Sequence, residues 1–285
     1  MKIRRAAIAV AAVSSGVLGI PAAAFAHGYG GQDAVGLTTS GSSLVRFDTD
    51  RPERSRKPTA IRGLVGDTTL VGIDRRVQNR KLYGIGNSGG IYTVSPTSTR
   101  ALKVGQLTVA LDGTSFGVDF NPAANALRII SNTGQNLRQP FGTTDGPTAA
   151  TVVDGPLTYP ATPTAPATTA SGVTGAAYTN NDLNADTATT LFDLDTNLDQ
   201  VVIQSPANSG SLAATGKLGV DAGAHVGFDI YSELAAGKTV SVDGYAVITV
   251  GSSSGLYSVD LLTGGAYFQG NFRSGVQDIA LDLDH

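Results

Sequence analysis

Aspartate is the residue type that offers most for chemistry in this chain. Of its 23 acidic residues, only Glu53 and Glu233 are glutamate, which leaves 21 aspartates. Four of them end a recurring Gly-apolar-Asp pattern, or a looser form of it: Asp74, Asp119, Asp229 and Asp278. If the four positions are equivalent, their carboxylates form a ring. Such a ring either binds a cation or a sugar, or hydrogen-bonds to neighbouring backbone.

A second group of oxygen ligands lies in one short segment. Asp193, Asp195, Asn197 and Asp199 have the alternating spacing of a calcium-binding loop. An EF-hand is excluded, because position 6 of the loop is Leu198 instead of Gly and position 12 is not Glu. The segment predicts either a looser hairpin calcium site or an Asx-rich turn. No cofactor is required by the sequence, and calcium is the one that it suggests.

Nucleophilic catalysis has little support. G-x-S-x-G occurs at 86–90 and 251–255, but a β-strand pattern follows each, whereas a nucleophile elbow needs a strand-to-helix turn. The absence of cysteine excludes thiol catalysis and disulfides. Apart from His27 and the terminal His285, the only histidine is His225, so a Ser-His-Asp triad would have to use it.

The N-terminus has the parts of a secretory signal peptide. Three basic residues within the first five positions precede an uncharged, mostly apolar stretch at 6–20, and an A-x-A cleavage site follows at 24–26. We expect cleavage after Ala26. The mature chain, 27–285, is then expected to be secreted, extracellular and without a membrane span.

Short strands in a repeated unit position the aspartates. After each Gly-apolar-Asp segment come an apolar strand, a turn rich in Gly, Ser or Asn, and a second alternating strand, and each unit closes with a further apolar strand. Units of four strands are typical of propeller blades. The chain therefore predicts an all-β, single-domain β-propeller of five blades. The expected blades cover 34–66 plus 276–283, 70–107, 115–157, 172–220 and 224–273.

The ring is expected to close through the C-terminal strand. The first unit lacks an innermost strand, and 277–283 is such a strand left over at the other end. Pairing the two removes two free sheet edges. Because innermost strands line the central channel of a propeller, the four repeated aspartates are expected around its axis. Residues 143–172, rich in Thr, Pro and Ala, are expected to form an excursion between blades.

Longer motifs resemble those of a known family. They are L-Y-G at 82–84, G-V-D-F-N-P at 117–122, N-T-G-Q-N-L-R at 132–138 and G-A-A-Y-T-N-N at 175–181. Together they resemble the secreted bacterial family catalogued as domain of unknown function 4394, over nearly all of the mature chain. The resemblance implies an exported, propeller-like protein. It implies no activity and no functional residue.

Charge is unevenly distributed along the chain. Residues 27–140 contain 14 basic and 8 acidic residues, whereas those from 141 onwards contain 3 and 15. The basic residues include two groups: Arg51, Arg54, Arg56, Lys57 and Arg62, then Arg75, Arg76, Arg80 and Lys81. A negative net charge without interleaved aromatic residues argues against a nucleic-acid partner. The asymmetry predicts a solvated face or a contact with a polyanion or the cell envelope.

The sequence thus favours an extracellular binding or scaffold module, with an envelope polysaccharide or protein as the partner it suggests. The alternative is a carbohydrate-active hydrolase that uses channel-mouth aspartates. Glycoside hydrolysis needs two carboxyl groups at a set separation, with the pKa of one raised. Neither glutamate of the mature chain occupies a repeat-equivalent position, so the general acid has no evident candidate.

Overall fold

Short apolar runs broken by glycine and asparagine turns form antiparallel strands throughout the described chain. The structure is a computed structural model and describes residues 31–284. Besides strands, these residues form two short 3-10 helices, Pro52–Arg54 and Ala207–Ser209. Within the described range, no helix has the length and apolar character needed to cross a membrane. The predicted signal peptide lies outside the described residues.

The strands follow one another along the chain in groups. The first seven are β1 (Asp33–Thr38), β2 (Ser43–Asp48), β3 (Thr59–Ala60), β4 (Leu70–Arg76), β5 (Lys81–Gly86), β6 (Gly90–Val94) and β7 (Ala101–Gln106). The next six are β8 (Phe116–Asn121), β9 (Ala126–Ser131), β10 (Asn136–Pro140), β11 (Val152–Val153), β12 (Thr158–Tyr159) and β13 (Thr168–Thr169). The last nine are β14 (Val173–Tyr178), β15 (Leu191–Asp195), β16 (Gln200–Gln204), β17 (Leu212–Lys217), β18 (Val226–Ala235), β19 (Lys238–Val250), β20 (Ser253–Val259), β21 (Ala266–Asn271) and β22 (Val276–Leu281).

Twenty of these strands form five four-stranded antiparallel sheets, each of which is one blade. Blade 1 has the order β22-β1-β2-β3, and blades 2 to 5 are β4 to β7, β8 to β11, β14 to β17 and β18 to β21. The innermost strands β22, β4, β8, β14 and β18 contact one another in that cyclic order. The structure therefore confirms the all-β, five-bladed propeller.

The ring closes through pairing of the two ends of the described chain. Strand β22 runs antiparallel to β1, with Leu281 opposite Ala34 and Ile279 opposite Gly36. The C-terminal strand thus supplies the innermost strand of blade 1, and the predicted closure is confirmed.

Apolar side chains fill the space between adjacent blades. Each of the five clusters of buried apolar residues spans two neighbouring blades, and each of the five blade-to-blade junctions holds one cluster. Between blades 2 and 3, for example, Tyr83, Phe120 and Phe141 pack edge-to-face at centroid distances of 5.1–5.6 Å. The core of the molecule is therefore a ring of inter-blade layers around the channel.

The glycine of the Gly-apolar-Asp pattern lets the innermost strands approach closely. At Gly117 a Cβ would lie 2.8 Å from the backbone nitrogen of Ala176 in the next blade, closer than real Cβ atoms come. Gly72 and Gly227 likewise have no room for a Cβ beside the neighbouring innermost strand. These glycines narrow the channel and bring the aspartates two positions later towards its axis.

The predicted excursion between blades 3 and 4 is partly strand. It contains β11, which completes blade 3, and the two-stranded pair β12–β13. Asp154 ties it down through ion pairs with Arg128, at 2.7 Å, and Arg138, at 3.0 Å. Because Arg128 and Asp154 are both buried, this pairing fixes the path of the segment against blade 3.

Candidate functional site

The four repeated aspartates link each innermost strand to the next. Each carboxylate accepts a backbone N–H from the innermost strand of the following blade, in these pairs: Asp278 from Ile73 (2.7 Å), Asp74 from Phe120 (2.7 Å), Asp119 from Tyr178 (3.0 Å) and Asp229 from Leu281 (2.6 Å). Blade 4 has Ala177 at the equivalent position, so blade 4 has no carboxylate link of this kind to blade 5. The aspartates thus hold four of the five inter-blade junctions at the axis.

Three of these carboxyl groups also meet one another. Carboxylate oxygens of Asp74, Asp119 and Asp229 lie within 4.8 Å of one another, and all three residues are buried. Burial, followed by repulsion from Asp229, raises the pKa of Asp74 well above its usual value. Burial, followed by repulsion from Asp74, does the same to the pKa of Asp119. Burial raises the pKa of Asp229 to about 6.

The space beside this cluster is very small. Asp74 and Asp229 border a cavity of about 10 Å³, which is room for one water molecule or one monatomic ion. The cluster can therefore share protons or surround a single cation, and the structure leaves calcium binding there a prediction. The same volume admits no sugar ring. The aspartates lie inside the ring of strands, and the channel mouth described below is lined by other residues.

The segment of Asp193, Asp195, Asn197 and Asp199 is engaged mainly in a turn. Asp195 Oδ1 accepts the backbone N–H groups of Asn197 and Leu198, at 2.9 and 3.0 Å. Its Oδ2 accepts the Tyr159 hydroxyl. The Asn197 amide donates to Ser171, and Asp199 accepts from the backbone of Ala222. These bonds are those of the Asx-rich turn, and calcium binding by this segment also stays a prediction.

Asp193 differs from its neighbours in having no partner. It is fully buried in β15, and neither carboxylate oxygen forms a hydrogen bond with another of the described residues. Burial raises the pKa of its carboxyl well above the usual value, and nearby Arg128 acts in the opposite direction. A protonated, neutral side chain is the state that this environment favours.

The channel mouth holds a cavity with a volume of about 210 Å³. It lies at the N-terminal ends of the innermost strands. In blades 2, 3 and 5 its lining residues precede the repeated aspartate by three to five positions. All five blades contribute to it, with these polar lining residues: Thr39, Ser40, Thr69, Thr114, Ser115, Thr174, His225 and Gln277. Its lining includes Phe116 but no Asp, Glu, Lys or Arg.

Several polar groups of this wall have hydrogen-bonding capacity that the described chain does not use. His225 Nδ1 and Ser115 Oγ are 2.9 Å apart and form a hydrogen bond. No hydrogen bond from another described residue reaches the side chains of Thr69 or Gln277, or Nε2 of His225. Thr174 is only 1% exposed, and its hydroxyl has no hydrogen-bond partner within residues 31–284. A ligand with hydroxyl groups could satisfy these donors and acceptors.

No sequence motif identifies the residues that line the channel mouth. Thr69, Ser115 and His225 each stand immediately before an innermost strand, so they share a position in the repeat but no residue type. In the sequence, His225 is distinguished only as the histidine that a Ser-His-Asp triad would need. The signal that could have found the site is the position one residue before each innermost strand.

The lining of the mouth contains no carboxylate. Ser115 and His225 resemble two members of a triad, but no carboxylate in the described chain hydrogen-bonds to Nε2 of His225. The clustered carboxyls that a glycosidase would use lie beyond the cavity, next to space for no more than one water molecule.

Comparisons with solved structures return other proteins at low identity. An auxiliary nutrient binding protein from Bacteroides ovatus is 15% identical, with a TM-score of 0.40 over 63% of this chain and 46% of that one. A protein of unknown function from Bacteroides thetaiotaomicron is 13% identical, with a TM-score of 0.46 over 89% and 65%. A nidogen/laminin complex is 12% identical, with a TM-score of 0.45 over 87% and 84%. The chain thus spans about half the length of the nutrient binding protein.

No curated protein matches the chain. A family model does match it, over residues 43–280, which extend from β2 of the first blade to the closing strand β22. This range includes the motifs at 82–84, 117–122, 132–138 and 175–181. The chain belongs to the family described as domain of unknown function (DUF4394).

Proposed function

We propose that this protein is an extracellular binding module that holds a small, neutral, hydroxyl-bearing ligand, such as one sugar unit, in the channel-mouth cavity. The observation that carries the proposal is the cavity itself, where all five blades present uncharged polar groups around about 210 Å³. This volume is below the roughly 300–1,000 Å³ typical of drug-sized sites. The ligand is therefore small.

The chemistry of the wall selects for a neutral ligand. With no charged Asp, Glu, Lys or Arg in the lining, a charged ligand would lose its hydration without gaining a counter-ion. Hydroxyl, amide and imidazole groups instead suit the paired donor and acceptor of a sugar hydroxyl. Phe116 adds an apolar surface beside them. This combination of an apolar surface and a few directed polar groups is typical of small-molecule sites.

Calorimetric titration of the mature chain with glucose, galactose and mannose, and with glucuronate as a charged counterpart, tests the proposal. We expect at least one neutral sugar to bind and glucuronate to bind more weakly. Thr174→Val should weaken the neutral sugar about two- to tenfold, the effect of one hydrogen bond. It should not lower the unfolding temperature of the free protein, because the hydroxyl has no partner there.

Ser55→Ala is the matched control, since Ser55 also carries a buried hydroxyl without a described partner and lies outside the cavity lining. This variant should bind the sugar as the unmodified protein does. Absence of binding by every neutral sugar at millimolar concentration would overturn the proposal. Equal weakening by Thr174→Val and Ser55→Ala would also overturn it.

A further inference from the structure

The outer rim of blades 1 and 2 carries positive charge that the protein does not neutralise. Residues 54–66 and 95–111 contain six basic residues and no Asp or Glu. Five cations at this rim are exposed and form no ion pair or side-chain hydrogen bond with another described residue: Arg46, Arg56, Lys57, Arg62 and Arg100. We call these five residues the basic edge.

The backbone places the basic edge in two groups. Strand β3 pairs with β2, and the Arg56 N–H donates to the Arg46 carbonyl at 2.9 Å, so Arg46, Arg56 and Lys57 lie together. At the other end, Arg62 and Arg100 face each other across a parallel bridge between the two blades. Arg62 follows Lys57 by five positions along the chain, a distance of at most about 18 Å.

Other basic residues of this part of the chain have partners. Arg75 pairs with Asp282, and Lys81 with Asp145. Arg76 is buried and donates to the carbonyl oxygens of Gly142 and Thr144. Like charges directly opposite each other, as at Arg62 and Arg100, cost stability unless something compensates them. The basic edge therefore places five exposed cations together that form no ion pair with another described residue.

We infer that the basic edge is a docking surface for a linear acidic polysaccharide. Two cationic groups within about 18 Å suit a chain that carries repeated anions, which a single small anion could not bridge. Arginine matches carboxylates with two parallel hydrogen bonds. The segments 54–66 and 95–111 contain no aromatic residue, so the base-stacking platform of a single-stranded nucleic-acid site is absent from them. The surface is separate from the channel mouth, and its occupant is independent of the ligand proposed there.

Binding of a fluorescent oligogalacturonate, followed by anisotropy at about 0.01 M salt, tests this inference, because the Debye length is then about 30 Å. We expect saturable binding that weakens with added salt. The double variant Arg62→Gln/Arg100→Gln should weaken binding about tenfold. The variant Lys217→Gln/Lys238→Gln removes the same charge from exposed positions on blades 4 and 5 and should change binding less than about twofold.

Three outcomes would overturn the inference. The first is no binding of oligogalacturonate at low salt. The second is equal weakening by the two double variants, which would mean attraction by overall charge only. The third is tighter binding of a single-stranded oligonucleotide of equal charge, which would assign the surface to nucleic acid. The alternative role of the basic edge, protection of an edge strand against pairing with another chain, predicts the first outcome together with aggregation of the Gln variants.

Discussion

At the scale of the residue, two opposing effects determine the protonation state of the aspartates near the axis. Their hydrogen bonds to neighbouring blades favour the carboxylate, whereas burial and mutual repulsion favour the protonated acid. The upward pKa shifts show that burial and repulsion prevail. The cluster is therefore a set of acceptors that join the blades and that gain stability when protons, or a cation, reduce their charge.

The first prediction separates hydrogen bonding from charge at Asp119. Asp119→Asn keeps an oxygen acceptor for the Tyr178 N–H and removes the charge, so its free energy of unfolding at pH 8 should equal or exceed that of the unmodified protein. Asp119→Ala leaves a buried N–H unsatisfied and should lose about 1–3 kcal/mol. Urea denaturation measures both. Equal losses in the two variants would contradict a hydrogen-bonding role.

The Asp119→Asn variant also tests whether the carboxyl cluster binds calcium. If the cluster of Asp74, Asp119 and Asp229 binds calcium, millimolar calcium should raise the melting temperature of the unmodified protein and not that of Asp119→Asn. If calcium changes the melting temperature of none of these proteins, the only remaining role of the cluster is to join the blades. A rise that persists in Asp119→Asn would point instead to the segment of Asp193, Asp195, Asn197 and Asp199.

The second prediction concerns pH. Asp229, with a pKa of about 6, binds more protons in the folded than in the unfolded protein, and so do the other carboxyls whose pKa is raised. Their contribution to stability is complete below the unfolded pKa of about 4 and is lost as pH rises through the folded values. The free energy of unfolding should therefore fall from about pH 5 to pH 8.

Urea denaturation at intervals across that range measures this decline. Asp229→Asn removes one of the titrating groups, so its decline should be shallower, particularly near pH 6. The lowered pKa values of Asp182 and Asp260 affect stability below this window, because stability from such groups is lost as pH falls through the folded value. A free energy that rises steadily from pH 5 to pH 8 would refute the account of the buried cluster.

At the scale of the element, the innermost strand combines three tasks within six residues. Its first residues line the mouth, its glycine permits close approach to the next strand, and its aspartate reaches across to that strand. Strand β14 of blade 4 lacks one of these three features, the aspartate. Ala177 replaces the aspartate. The junction with blade 5 is held instead by apolar packing of residues such as Phe192 and Phe228, and by hydrogen bonds from Asn181 to Ile230 and Ser232.

The third prediction tests the close approach. Gly117→Ala would place a Cβ 2.8 Å from the Ala176 nitrogen, and the backbone there cannot give way as a side chain could. We expect a loss of about 1–3 kcal/mol in the free energy of unfolding. Gly265→Ala is the control, because its nearest neighbour is the exposed side chain of Tyr267. Similar free energies of unfolding in the two variants would show that the innermost strands can accommodate a Cβ at position 117.

Periodicity explains how much of these elements could be predicted. The Gly-apolar-Asp pattern recurs in four strands because the same close approach and the same inter-blade bond recur, so sequence alone located Asp74, Asp119, Asp229 and Asp278. The sequence could not show that the carboxyl groups of three of them lie close together, because that depends on the distance of each strand from the channel axis. The mouth residues Ser115 and His225 lie 110 positions apart and share no residue type, so no pattern joined them.

At the scale of the whole molecule, the ring depends on its closing strand. The fourth prediction is that deletion of 276–285 removes β22, exposes β1 as a free edge and abolishes cooperative unfolding or lowers the melting temperature markedly. A chain that ends at Leu283 keeps β22 and should retain a cooperative transition. An unchanged melting curve after deletion of 276–285 would contradict closure through this strand.

The compartment is the fifth prediction and also belongs to the whole molecule. The A-x-A site at 24–26 predicts that exported protein begins at His27. Mass spectrometry of protein from culture supernatant should detect this N-terminus. An intact Met1 in the supernatant would contradict cleavage after Ala26.

The channel mouth is the central claim, and the imidazole of His225 reports on it directly. In nitrogen-detected NMR of the side-chain histidine signals, assigned with a His225→Gln variant, the neutral sugar that binds in calorimetry should shift the Nε2 resonance of His225 and saturate at the calorimetric Kd. In Thr174→Val the same shift should require a higher sugar concentration. A sugar that binds with the same Kd while the His225 signal stays unmoved would place the ligand elsewhere and contradict the account.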